Sequence, residues 1–146
     1  MFEHYLETAV DILAPPDRVW DILTDFPAYP AWNPFIVSIY GQAVAGTALE
    51  VHIRPPGHRA AMFRPTVLAA EPERELRWVG RLLVPGMLQG DHFFRLEERS
   101  GTVHLVHGET FSGLLVSLFR RRLKATQAGF EAMNAALKER AERPAG

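Results

Sequence analysis

The feature that most constrains this chain is a run of six strand-like segments separated only by short turns. They are Phe35 to Tyr40, Thr47 to Arg54, Met62 to Ala70, Glu75 to Leu83, Leu88 to Glu98 and Thr102 to Phe111. The breaks fall at Gly41, Gly46, Pro55-Pro56-Gly57, Glu71-Pro72-Glu73, Pro85-Gly86 and Ser100-Gly101. Parallel strands need long crossovers, so breaks this short favour an antiparallel meander. If Ser100-Gly101 forms a two-residue hairpin loop, Arg99 pairs with Thr102 and the register beyond it follows.

The flanks differ in period. Between Tyr5 and Leu13, Leu6, Thr8, Val10 and Ile12 alternate with Glu7 and Asp11, which predicts a half-buried strand. Ala14-Pro15-Pro16-Asp17 stops it and starts a helix carrying Val19, Ile22, Leu23 and Phe26 at helical spacing, with Trp20 as packing. Prolines between Pro27 and Pro34 allow only a helical turn or a loop there. In the tail, Leu115, Phe119, Thr126, Phe130, Met133 and Leu137 recur at three- and four-residue steps, with Arg122 or Leu123 between. This predicts a long amphipathic helix that must dock on something apolar, with fraying from Glu139 to Gly146. The concave face of the meander is the available partner, so the expected fold is α+β: a curved antiparallel sheet of about seven strands gripping a C-terminal helix.

At 146 residues, 47% hydrophobic and 23% charged, the chain suits one compact domain. A net charge of −1 and one short basic run, Arg120 to Arg122 with Lys124, argue against nucleic acid. That run reads as a solvated helix face, although anionic lipid or a partner protein would also suit it. The lack of cysteine removes disulfide and thiolate chemistry. No apolar run approaches the roughly 20 residues of a membrane span, so no stable membrane insertion is expected. With an acidic start at Met1-Phe2-Glu3, the expectation is a cytoplasmic protein beginning near Met1.

Several motifs carry a resemblance: Ala14-Pro15-Pro16-Asp17-Arg18-Val19-Trp20, Leu23-Thr24-Asp25-Phe26, Tyr29-Pro30-Ala31-Trp32-Asn33-Pro34-Phe35, Gly90-Asp91-His92-Phe93-Phe94-Arg95-Leu96 and Phe111-Ser112-Gly113-Leu114-Leu115. With the order of elements, they resemble the polyketide cyclase/dehydrase branch of the START-related, or SRPBCC, superfamily of helix-grip proteins. The resemblance implies a cavity between sheet and helix. It implies no reaction, because such families include cyclases, lipid and hormone carriers and chaperone co-activators.

The hairpin register places His92 opposite Glu109, Phe94 opposite His107 and Leu96 opposite Leu105 on the inner face, with Arg95, Glu97, His104 and Val106 outward. A bulge would reverse these faces. His92, His107 and Glu109 are therefore candidate acid–base residues. The alternative is that His92 and Glu109 merely satisfy each other, or sit at a solvated mouth. Candidate ligand contacts are Trp78, with Leu76 and Leu82, as a wall; Trp32 and Phe35 at the entrance; Phe94 and Leu105 on the inner face; and Phe130 and Met133 as a floor. His104 and His107 face opposite sides and no His-Glu-x-x-His pattern exists, so no metal is expected. Gly108-Glu109-Thr110-Phe111-Ser112-Gly113 has the wrong spacing for a dinucleotide turn, and no other cofactor is indicated. Three functional readings stand: a binder of an apolar, aromatic or polyketide- or lipid-like molecule, a cyclase or dehydratase using the same pocket, and a protein-interaction module with a collapsed cavity.

Overall fold

The computed structural model describes residues 3–82 and 86–144, with only the backbone of Leu82. The expected strand end at Leu83, the break at Pro85 and the wall position of the Leu82 side chain therefore lie outside the described residues. Strand β1 (Glu3–Ile12) leads into helix α1 (Pro16–Thr24) and a 3₁₀ helix over Phe26–Ala31. Strands β2 (Ile36–Tyr40), β3 (Glu50–Ile53), β4 (Ala61–Phe63), β5 (Thr66–Glu71), β6 (Glu75–Leu82), β7 (Leu88–Arg99) and β8 (Thr102–Ser112) follow. A 3₁₀ turn over Val116–Phe119 then feeds helix α2 (Arg120–Glu142).

All pairings are antiparallel, in the orders β1-β8-β7-β6-β5 and β2-β3-β4. The two groups are joined by the bridge Ala48↔Thr66 and by bonds from Leu49 N to the Pro65 carbonyl and from Val67 N to the Thr47 carbonyl. Eight strands appear among the described residues where about seven were expected. The expected strand from Met62 to Ala70 is split at Arg64-Pro65, since proline offers no N–H to the ladder.

The β7–β8 hairpin has the register expected from its turn. Ser100 and Gly101 have φ of 50° and 87°, the left-handed pair that a tight hairpin of matching twist requires. Arg99 faces Thr102, and the ladder runs unbroken to Gln89↔Ser112.

Helix α2 buries Leu123, Thr126, Phe130, Met133, Asn134 and Leu137 along one stripe. Leu123, not Arg122, fills the stripe's first position, and Arg122 is exposed. Gly129 brings the helix against Phe35, whose ring occupies the space a Cβ would need. The helix proper starts at Arg120, after the 3₁₀ turn, and runs to Glu142. The fraying expected from Glu139 is thus corrected for residues 139–142. The Arg18 side chain of α1 donates to the carbonyls of Ala141 (2.6 Å), Arg140 (3.2 Å) and Arg143 (3.1 Å), supplying partners that helix C-termini otherwise lack. The Glu142 carboxylate also accepts from Leu13 N (2.7 Å) and Lys138 Nζ (2.6 Å).

Candidate functional site

A cavity of about 200 Å³ opens beneath the first turns of α2, between the two groups of strands. Phe35, Val51, Trp78, Phe111 and Leu123 make its wall mostly apolar. His92 and Glu109 supply its inner polar surface, and His58, Arg59 and Arg122 are exposed residues on its lining.

The expected ligand contacts divide. Phe35 and Trp78 line the cavity. Phe94, Leu105, Phe130 and Met133 do not; all four are fully buried. An aromatic stack explains the correction for the rings. His107 lies between Phe94 (centroids 4.2 Å apart, 30° between planes) and Phe130 (4.1 Å, 17°), so this end of the concavity is filled with side chains. Trp32 is also displaced from the expected entrance. Asn33 Oδ1 accepts from the backbone N–H groups of Phe35 and Ile36 (both 2.9 Å), turning the chain so that Phe35 enters the cavity. Trp32 instead packs edge-on to Tyr29 and lines a separate polar recess with Asp17, Arg18, Asp21 and Arg140.

His92, His107 and Glu109 do converge. Glu109 Oε1 lies 3.0 Å from His92 Nδ1, and His92 Nε2 lies 2.8 Å from His107 Nε2. His107 Nδ1 lies 2.8 Å from Asn134 Oδ1 on α2. Asn134 Nδ2 donates to Thr8 Oγ1 on β1 (2.8 Å), and Thr8 donates to the His107 carbonyl (2.8 Å). Only the Glu109 and His92 end of this chain reaches the cavity. Two residues in it, Thr8 and Asn134, were not among the sequence candidates. Their signal was present: each is a polar residue at a core position of its element, between Leu6 and Val10 on β1 and beside Met133 on α2.

Burial holds the Glu109 carboxyl up to about 8, with the Asp91 carboxylate adding to the shift. Burial pushes His92 down to about 3, opposed by Asp91. Burial, and then the neighbouring His92, hold His107 well below the usual imidazole range. Although His92 and Glu109 are close enough for an ion pair, desolvation penalises both charges, so they meet as a neutral hydrogen-bonded pair. Asp91 is itself paired on the outer face with Arg77, whose Nε donates to it at 2.7 Å. Gly90 leaves room for this carboxyl: a Cβ there would overlap Glu109 Oε2, so a larger residue would oblige the end of the Glu109 side chain to move.

On the opposite face of the hairpin, Phe93 is buried, stacked with Tyr5 and covered by the Arg95 guanidinium (4.2 Å). No group of His, Asp and Glu among the described residues is arranged to hold a metal ion, and none of their helices is long and apolar enough to cross a membrane.

A curved antiparallel sheet closed by a long C-terminal helix, with a cavity between them, defines a protein of the helix-grip fold. The chain belongs to the family described as polyketide cyclase/dehydrase and lipid transport, whose model matches residues 3–142. No curated protein sequence matches it. Among solved structures it is similar to the di-domain aromatase/cyclase BexL of the BE-7585A biosynthetic pathway, with 16% identity and a TM-score of 0.78, covering 98% of this chain and 51% of that one. The chain thus spans about half the length of that di-domain protein. It is also similar to the Zhui aromatase/cyclase from Streptomyces sp. R1128 (19% identity, TM-score 0.75, covering 97% and 95% of the two chains). A START superfamily protein from Mycobacterium smegmatis is comparable (18% identity, TM-score 0.73, covering 95% and 97%). At these identities the likeness is one of fold.

Proposed function

We propose that the protein binds an apolar, aromatic or polyketide- or lipid-like small molecule in the cavity beneath α2, with its polar end against Glu109 and His92. The observation that carries this reading is the cavity itself, about 200 Å³ with a largely apolar wall and one polar pair at its inner surface. Trp78 stacks on His92 (centroids 5.0 Å apart, planes at 11°) and offers an aromatic flank to a planar ligand. The test is native mass spectrometry of freshly purified protein, with identification of any molecule released on denaturation, followed by titration with aromatic probes. A stoichiometric apolar passenger supports the reading. An empty protein that takes up no aromatic probe overturns it.

A second reading, a cyclase or dehydratase, is favoured by one specific observation: an acid and an imidazole, both shifted by burial, share a hydrogen bond on the cavity wall. In a dehydration the pair would take a proton from carbon and return one to the departing hydroxyl, releasing water. The readings separate by mutation. His92→Gln and Glu109→Gln leave a binder's affinity within about tenfold, or ~1.4 kcal/mol. Loss of an acid–base group lowers a rate by roughly 10²- to 10⁴-fold, measured on a diketone able to close an aromatic ring.

A further inference from the structure

The buried hydrogen-bond chain has a direction, and that direction sets what the cavity can recognise. Its fixed end is the His107 carbonyl, which can only accept. Thr8 therefore spends its one hydroxyl proton on that carbonyl, 2.8 Å away, and its lone pairs face the Asn134 amide nitrogen. Asn134 then turns its oxygen to His107 Nδ1, which must carry a proton. A neutral His107 leaves Nε2 bare, so the 2.8 Å contact between the two Nε2 atoms requires the proton on His92. A neutral His92 in turn leaves Nδ1 bare toward Glu109 Oε1, 3.0 Å away. The contact closes only if a proton lies between them.

Three contacts thus hold three protons, whereas a carboxylate with two neutral imidazoles supplies only two. The additional proton belongs to the Glu109–His92 pair, and its place is the Oε1···Nδ1 contact. It is therefore not on Oε2. That oxygen has no hydrogen-bond partner among the described residues and belongs to a side chain that lines the cavity and retains 15% exposure.

We propose that Glu109 Oε2 is an obligate hydrogen-bond acceptor in the cavity, so that the ligand presents a hydroxyl, phenolic or enolic, to it, and that Thr8 and Asn134 are positioning residues that impose this polarity through the two histidines. Without them a protonated Glu109 is free to turn its O–H into the cavity and favour carbonyl or ether oxygens. The ligand class rests on the cavity being the binding site, whereas the polarity does not.

The test has two arms. In ¹⁵N-histidine-labelled protein without ligand, nuclear magnetic resonance reads the tautomers: the expected result is Nδ1–H on His107 and Nε2–H on His92. Thr8→Val, which removes the hydroxyl at nearly constant shape, shifts His107 toward Nε2–H, while Thr8→Ser retains the original pattern. A merely structural role would leave the tautomers unchanged in both variants. In the second arm, Trp fluorescence follows binding of naphthalene, 1-naphthol and 1-methoxynaphthalene. The hydroxyl compound is expected to bind about tenfold tighter than its methyl ether, a ratio that falls toward one in Thr8→Val. Equal binding of naphthol and its ether overturns the acceptor assignment while leaving the cavity reading intact. Failure of all three to bind overturns the ligand class together with that reading, and the tautomers still decide the polarity. Nε2–H on His107 in the unmodified protein overturns the polarity itself.

Discussion

Removing the carboxyl of Glu109 while keeping its shape should remove one limb of the protein's pH–stability profile. In the folded protein Glu109 titrates near about 8, raised from 4.5, so the folded state keeps a proton that the unfolded chain releases from about 4.5 upward. Its contribution is fully present below pH 4.5 and is lost as pH rises through about 8. His92 and His107 act oppositely. Both are depressed by burial, so their contributions are present above the ordinary imidazole value of 6.5 and are lost as pH falls below it, for His92 through about 3. Between 4.5 and 6.5 Glu109 and His92 cancel, which leaves His107 to lower stability toward acid. Above 6.5 only Glu109 remains among the three. Over the roughly 1.5 pH units up to 8, one proton at about 1.4 kcal/mol per unit amounts to about 2 kcal/mol. This is an upper bound, because the Glu109 side chain keeps 15% exposure to the cavity. Of the charged groups around the pair, Asp91 favours the same retained proton and Arg77 neutralises Asp91, while Arg59 and Arg122 on the cavity lining are exposed to solvent. Urea denaturation at several pH values should show a maximum near 6.5 and a fall toward 8. In Glu109→Gln the alkaline fall should vanish while the acid one persists. An unchanged alkaline fall in the variant would refute the assignment of that proton to Glu109.

Gly90→Ala places a methyl group where Glu109 Oε2 sits and should turn the end of that side chain away; in the fluorescence titration the preference for a hydroxyl ligand should fall toward one. Phe130→Ala deletes a fully buried ring stacked on His107 and should cost about 3–5 kcal/mol in urea melts. Arg18→Met keeps apolar stem length but removes the donors to the end of α2; hydrogen exchange should quicken at residues 138–143 and remain unchanged around Phe130.

Where the sequence spoke about the site, it did so through local rules. The hairpin loop at Ser100-Gly101 and the two-residue period of a strand were enough to bring His92, Glu109 and His107 onto one face. Those rules carry no information about depth. They placed Phe94, Phe130 and Met133 on the right side but could not separate cavity wall from filled core, because that depends on how far α2 sinks onto the sheet. Trp32 was misplaced for a related reason: in a proline-rich stretch without period, the side taken by each ring is decided by the Asn33 bonds to Phe35 and Ile36.

The antiparallel order, the hairpin register and the apolar stripe of the long helix follow from the sequence by itself, since turns, alternation and helical spacing act between residues a few positions apart. The link between the two histidines, Asn134 and Thr8 was decided only by tertiary structure. Its members come from β1, β7, β8 and α2, with 126 positions between Thr8 and Asn134. What joins them is the docking of the helix across the sheet, which turns Asn134 toward Thr8 and His107. The same docking excludes the water that would otherwise satisfy each group separately.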